Sequence, residues 1–350
     1  MEVNMQNKII LIDPQEQNYP LLKRILNEDY VLAEITDIRK INDFLTHDSE
    51  TIAAILADYP TLRSQKFTLA KMIRQNSKCD RIPLLAVCSE IPPGLGDELC
   101  KYNIAEFICA PFDPSLVKHR IQNCIRLYQY QNTMQKQHKL LKLQSDRLTK
   151  SNETIIDALG DIVEYRNVES GEHIHRVKEY TRILATEAMN CFPEFNLTPE
   201  KVSVIVTASP LHDIGKIALP DKILMKPGRL TDQEFEYIKS HTISGCEILD
   251  NMRGIWSDEY SKVCKEICHS HHERYDGSGY PDGLRGSEIP LSAQIVSIAD
   301  VYDALTNERV YKDAIPKDHA FRMIINGECG VFSPKLMECL RNVRTEFENV

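Results

Sequence analysis

Apolar and polar positions follow two different rhythms along the 350 residues. Over residues 1–125, short apolar runs at Lys8–Ile12, Ile52–Ala57, Ile82–Val87 and Glu106–Ile108 read as buried strands. The amphipathic stretches between them, Tyr19–Asn27, Ile41–Thr46, Phe67–Asn76 and Gly94–Tyr102, read as helices. This βα alternation predicts a doubly wound parallel α/β sheet, in which working residues collect at the carboxyl ends of the strands. Those ends carry Asp13, Asp58, Cys88 and Ser89, then Ala110-Pro111-Phe112.

The rhythm then changes. From about 119 to 155 the chain is polar, free of Gly and Pro, and rich in Gln, Lys and Leu, which predicts one long helix. Leu127, Met134, Leu141, Leu148 and Ile155 recur every seven residues, but the second seam is polar, with Gln131, His138, Ser145 and Asn152. A solvated connecting helix and a parallel dimer stalk both fit that pattern. Beyond 156 the chain reads as all-α. Thr198-Pro199-Glu200 marks one helix start, and Thr231 with Glu234 forms a capping box at another. In that second helix Phe235, Ile238, His241 and Gly245 are expected on one face, turning His241 toward the core. The expected division is therefore 1–125, a helical linker over 126–155, and an all-α domain over 156–350.

Composition narrows the function. A hydrophobic content of 42% and a charged content of 27% suit a globular chain with a sizeable core. The net charge of −9 argues against DNA as a partner. No apolar run approaches a membrane span, and no secretory pattern opens the chain. The eleven cysteines are scattered without a C-x-x-C pair, as expected of reduced, structural thiols in a cytoplasmic protein. Cys264 and Cys268 are expected to pack.

The acidic and imidazole groups of the second half are ordered. His212-Asp213 offers an imidazole nitrogen and a carboxylate oxygen at one point, a pair suited to divalent metals. Lys216 follows one helical turn on, within reach of a phosphate held there. Glu169 and His173 share a face if a helix begins near Ser170, with Val177, Tyr180 and Leu184 on the same inner side. His241 comes next, then His271-His272, then Asp300 within the apolar run Ile295–Val301. An Asp in such a run is costly to bury without a partner, and a metal supplies one.

Two family resemblances follow. The first third resembles the receiver domain of bacterial response regulators, which carries an acidic pair, a phospho-accepting Asp, a Ser or Thr, and Lys-Pro-Phe at successive strand ends. Asp13 keeps one acid and Pro14 replaces the other. Asp58 matches the phospho-acceptor, Cys88 stands at the Thr/Ser position, and Ala110 replaces the lysine. Losing an acid and the lysine weakens Mg²⁺ binding and phosphate sensing, so the resemblance implies a degenerate receiver kept for dimerisation or partner docking.

From Asp157 onward the chain resembles the HD-GYP family of metal-dependent phosphohydrolases, which degrade cyclic di-GMP. The matching motifs are Ser170-Gly171-Glu172-His173, His212–Lys216, His241, Gly279-Tyr280-Pro281 and Ile298-Ala299-Asp300. The resemblance implies that His173, His212, Asp213, His241, His271, His272 and Asp300 are metal ligands, with Asp213 bridging two ions. It implies an extra carboxylate for a third ion at Glu169, and phosphate contacts from Lys216, Arg309 and Lys312. Gly279 and Tyr280 would shape the signature loop, and His269 and His319 match no ligand position. Val310 and Ser333 depart from the family pattern, outside the metal set.

The implied cofactors are two or three divalent ions, Fe or Mn, since the donors are His and carboxylate without thiolate. The implied reaction opens cyclic di-GMP to pGpG, and on to GMP with a third ion, by in-line attack of a metal-bridging hydroxide. Two other readings remain open: a phosphodiesterase for another cyclic dinucleotide such as cyclic GMP-AMP, and a non-catalytic signalling module. A homodimer joined through the receiver-like domain and the linker helix, with protein signalling partners, is expected.

Overall fold

The computed structural model describes residues 8–12, 18–37, 41, 51–75, 80, 82–166, 172–252, 254–308 and 314–350. Glu169, Arg309, Lys312 and Asp13 therefore lie outside the described residues, as does most of the expected helix Ile41–Thr46. The chain divides into two compact units, 1–144 and 145–350.

The first unit is a five-stranded parallel sheet: β1 (Lys8–Ile12), β2 (Val31–Ile35), β3 (Ile52–Asp58), β4 (Leu84–Cys88) and β5 (Glu106–Cys109), in the order β2-β1-β3-β4-β5. That order is the flavodoxin-like arrangement of receiver domains. The period of two places Ile10, Ile12, Ile55, Ala57, Leu84 and Ala86 in one core layer, and Ile9, Leu11, Leu56, Leu85 and Val87 in the other. α1 (Tyr19–Leu26), α2 (Tyr59–Ser64), α3 (Thr68–Gln75) and α4 (Leu95–Tyr102) connect the strands. β2 and α2 are additions to the sequence expectation. β2 is a half-exposed edge strand, and α2 starts on Asp58 itself.

α5 (Pro114–Arg166) is a single helix of 53 residues, longer at both ends than expected. Its seven-residue row is exposed: Leu127, Met134, Leu141, Leu148 and Ile155 each keep 55–66% of their surface.

The second unit is helical: α6 (Glu172–Cys191), α7 (Pro199–Ala208), α8 (Asp221–Leu224), α9 (Asp232–Lys239), α10 (His241–Asn251), α11 (Asp258–Ser270), α12 (Leu291–Thr306), α13 (Lys317–Ile325), α14 (Pro334–Asn342) and α15 (Arg344–Asn349). Val177, Tyr180 and Leu184 of α6 meet Ile295, Ile298 and Tyr302 of α12 in its core, with Phe347 against both tyrosines. Both marked helix starts form. Thr198 Oγ1 accepts from Lys201 N at 3.3 Å, and the Thr231–Glu234 capping box closes in both directions. One expectation is corrected: Phe235 and His241 do not share a continuous helix. The chain turns at Ser240, whose hydroxyl donates to Tyr237 O, so His241 opens α10 while Phe235 stays 47% exposed. Cys264 and Cys268 are buried in the core, as expected of packing thiols.

Candidate metal centre

Five elements deliver the centre. His173 lies in the first turn of α6, just past Glu172, so it points in at the helix mouth with 1% exposure. After α7 the chain tightens into two 3₁₀ turns, Ser209–Leu211 and Ile214–Ala218, with His212 and Asp213 between them. The turn after Asp213 lies hard against the start of α10. A Cβ on Gly215 would fall 1.8 Å from His241 O, so only glycine admits the approach that brings His241 beside Asp213. His271-His272 follow the end of α11, and α12 supplies Asp300 from an otherwise apolar helix.

These residues form two groups. Asp213, His241, His271 and His272 each offer a ligand atom within 4.8 Å of the others, and so do His173, His212 and Asp300. Asp213 lies between them. Its Oδ1 is 3.1 Å from His241 Nε2 and 3.6 Å from His271 Nε2, while its Oδ2 is 3.2 Å from His212 Nε2. Asp300 Oδ1 lies 3.9 Å from Nε2 of both His173 and His212. Lys216 Nζ reaches Asp213 Oδ2 at 2.6 Å, one 3₁₀ turn after it.

Hydrogen bonds fix the imidazole tautomers. Nδ1 of His212 donates to Ser209 O at 2.9 Å, that of His241 to Ile238 O at 2.7 Å, and that of His271 to Ile267 O at 3.0 Å. A carbonyl only accepts, so each Nδ1 carries the proton and each Nε2 presents a lone pair inward. His173 Nδ1 lies 2.7 Å from the Asp303 carboxylate, which orients it the same way. Nε2 of His212, His241 and His271, and Oδ1 of Asp213, are buried without a hydrogen-bond partner. Four orphaned acceptors converging on one space, each costly to bury, fit a bound cation.

Burial disfavours a charged His212, yet Asp213, Asp300 and Glu164 outweigh it and lift the imidazole to about 9. The negative field at this point draws positive charge, which a proton on His212 Nε2 supplies and which a metal would supply in its place, freeing the lone pair. Burial likewise opposes ionisation of Asp213, and Lys216 and His212 overcome it, holding the carboxylate well below its usual range. Burial and the neighbouring imidazoles drive His272 down, so it remains a neutral donor.

The signature loop rims this space. The buried Glu273 carboxylate accepts from the backbone N–H of Asp282, Gly283 and Leu284 at 2.8, 3.1 and 3.0 Å. A Cβ on Gly279 would fall 2.4 Å from Glu273 Cα, so the loop lies flat on the backbone below it. Tyr280 then lies over His272, with ring centroids 4.6 Å apart and planes tilted by 30°. His269 is not part of the cluster; it pairs with Asp282 at 2.8 Å, in keeping with a packing role.

Asp303, Glu273 and Glu164 were not singled out in the sequence. Asp303 had a legible signal, three residues after Asp300 on the same helix face. In the first unit, Asp58 Oδ2 accepts from Thr61 N and Thr61 Oγ1 at 3.1 Å each, capping α2.

Comparison with known proteins accords with this geometry. Residues 137–332 match the HD domain family, and the chain belongs to it. The chain is 28% identical, over 98% of its length and 89% of the relative's, to the cyclic di-GMP phosphodiesterase response regulator RpfG of Xanthomonas campestris pv. campestris. It is 35% identical to a cyclic di-GMP phosphodiesterase of Thermotoga maritima, over 70% of this chain and 67% of that one. A 3'3'-cGAMP-specific phosphodiesterase 2 of Vibrio cholerae is 38% identical over 57% of this chain and 36% of its own.

Proposed function

We propose that this chain is a metal-dependent phosphodiesterase that opens cyclic di-GMP to pGpG in bacterial signalling. The observation that carries the reading is the set of orphaned buried acceptors at His212, Asp213, His241 and His271. His173, His212 and Asp300 would hold one divalent ion, and His241, His271 and His272 another, with Asp213 giving one oxygen to each. Nitrogen and oxygen donors without thiolate favour Fe or Mn. Glu169, outside the described residues, would serve a third ion and carry cleavage on to GMP.

Divalent ions held there supply Lewis acidity and a water of lowered pKa at neutral pH. The protein's own part is preorganisation. The Nδ1 bonds orient His173, His212, His241 and His271 with Nε2 toward the centre, and Lys216 sets an ammonium at the edge of the centre where phosphate charge develops. Arg309 and Lys312 would grip the remaining phosphate oxygens. Tyr280, over His272, gives the mouth an aromatic face against which a guanine base can stack.

The test is metal content and cyclic di-GMP turnover on protein purified without oxygen, beside Asp213→Ala. Two or three ions with turnover, both lost in the variant, is the expected result. Bound metal without turnover of any cyclic dinucleotide would sink the reading. Similarity to a cGAMP-specific enzyme favours a second substrate, cyclic GMP-AMP, which a substrate panel separates.

The receiver-like unit and α5 serve assembly in this proposal. The exposed row Leu127, Met134, Leu141, Leu148 and Ile155 suits a parallel contact with a second copy. Sedimentation of wild type against Leu141→Glu/Leu148→Glu tests it; a monomeric wild type would overturn it. No described helix is long and apolar enough to cross a membrane.

A further inference from the structure

The end of α5 meets the turn that carries Lys216. Glu164 is fully buried, and neither of its carboxylate oxygens accepts a hydrogen bond. Its Oε1 lies 3.6 Å from Lys216 Nζ. Its charge also helps to lift the His173 and His212 imidazoles against their burial. A carboxylate sequestered without hydrogen bonds is costly, so a fold that keeps one places a cation against it. Here that cation is the ammonium at the edge of the centre.

Two residues later, Arg166 holds the backbone of the same turn. Its guanidinium donates to Ile217 O at 2.6 Å, to Leu219 O at 2.7 Å and to Lys216 O at 3.4 Å. Nε and Nη2 also donate to Asp221 Oδ1 at 2.9 and 2.6 Å. One helix end therefore grips Lys216 twice, by its side chain through Glu164 and by its backbone through Arg166.

The side-chain grip has a distinct purpose. Lys216 Nζ already touches Asp213 Oδ2, and that oxygen is the one facing His212. Once Asp213 serves as a ligand, its charge is shared and its pull on the ammonium weakens. Glu164 is a second carboxylate placed to keep Lys216 aimed. We propose that Glu164 is a positioning residue that holds the Lys216 ammonium at the rim of the His/Asp centre, where it meets a substrate phosphate. This rests on the hydrolase reading above.

The experiment is a double-mutant cycle on the full-length, metal-loaded protein, using Glu164→Gln, Lys216→Met and the pair. Three quantities are read: kcat/KM for cyclic di-GMP, metal content, and the Kd of a non-hydrolysable phosphorothioate analogue. The expected result is a roughly ten- to hundredfold loss of kcat/KM in Glu164→Gln, the scale of a misplaced catalytic group. Metal content should be unchanged, and analogue binding weakened. Glu164→Gln should add nothing further once Lys216 is Met, because the effect runs through that ammonium. Glu164→Asp, which keeps the charge, should recover part of the loss. Activity at the wild-type level in Glu164→Gln, losses that multiply in the pair, or loss of metal would each overturn the assignment. A wild type that binds metal but cleaves no cyclic dinucleotide would overturn the hydrolase reading itself, and the assignment with it.

Discussion

His173 Nδ1 and Asp303 Oδ2 lie 2.7 Å apart, each side chain 2% exposed, and Arg176 donates to the same carboxylate. The arrangement fixes the ring and raises its basicity toward a metal. Asp303→Asn should weaken metal binding at the His173–His212–Asp300 group about 10- to 100-fold. Elemental analysis after dialysis should show that ion depleted, with the Asp213–His241–His271–His272 ion retained. Equal loss of both would refute independent support of the two groups.

Chelation should destabilise the second unit. A ligand at a hundred times its Kd contributes about 2.7 kcal/mol, which for a unit of this size lowers Tm by roughly 5–10 °C when it is removed. Calorimetry with and without EDTA reads the shift. Asp213→Ala should be insensitive to the chelator.

Asp58 should behave as a helix cap. With its carboxylate engaged by Thr61 and 6% exposed, Asp58→Ala should cost about 1 kcal/mol in urea unfolding, and Asp58→Asn less. Beryllium fluoride should leave the NMR spectrum of the protein unchanged; shifts clustered at the ends of β3 and β4 would show instead that Asp58 is a phospho-acceptor.

Cys246 on α10 should be a reactive thiol. Cys268 lowers its pKa against the opposition of burial, and His269, whose Nδ1 lies 3.7 Å from the sulfur, adds to the lowering. A depressed thiol pKa means that thiolate persists into more acidic solution, so iodoacetamide should modify Cys246 readily at pH 7. The rate should fall once the pH drops below that depressed value. His269→Ala should slow the reaction at pH 7, as peptide mapping would show.

Gly215→Ala should be among the most damaging small substitutions. Its Cβ has no room against His241 O, and forcing the turn and α10 apart should cost about 3 kcal/mol and deplete metal. An unchanged urea midpoint would contradict the packing described.

The His/Asp cluster was legible because metal chemistry admits few residue types, and His212-Asp213 and His271-His272 stand out against a plain helical background. Four of the five strands were legible from buried runs such as Ile52–Ala57. β2 was not, since Val31–Ile35 is a half-exposed edge strand interrupted by Glu34. α2 was hidden because Pro60 reads as a breaker, although proline is welcome in a first turn. The break at Ser240 has no Gly or Pro to announce it. Glu164 and Glu273 were missed for a common reason. A charged residue within a helix or beside a loop reads as solvated, and only tertiary packing shows that each is buried with a task. Asp303, by contrast, could have been read from its spacing to Asp300.

Glu273 directly follows the paired histidines, and its carboxylate gathers three amides from the far end of the signature loop. The loop is thus a closed ring whose clasp is protein, not ion. Demetallation should empty the centre without dissolving its doorway. The apoprotein would then keep the rim of its vessel already built, and loading would be a matter of ion supply instead of refolding.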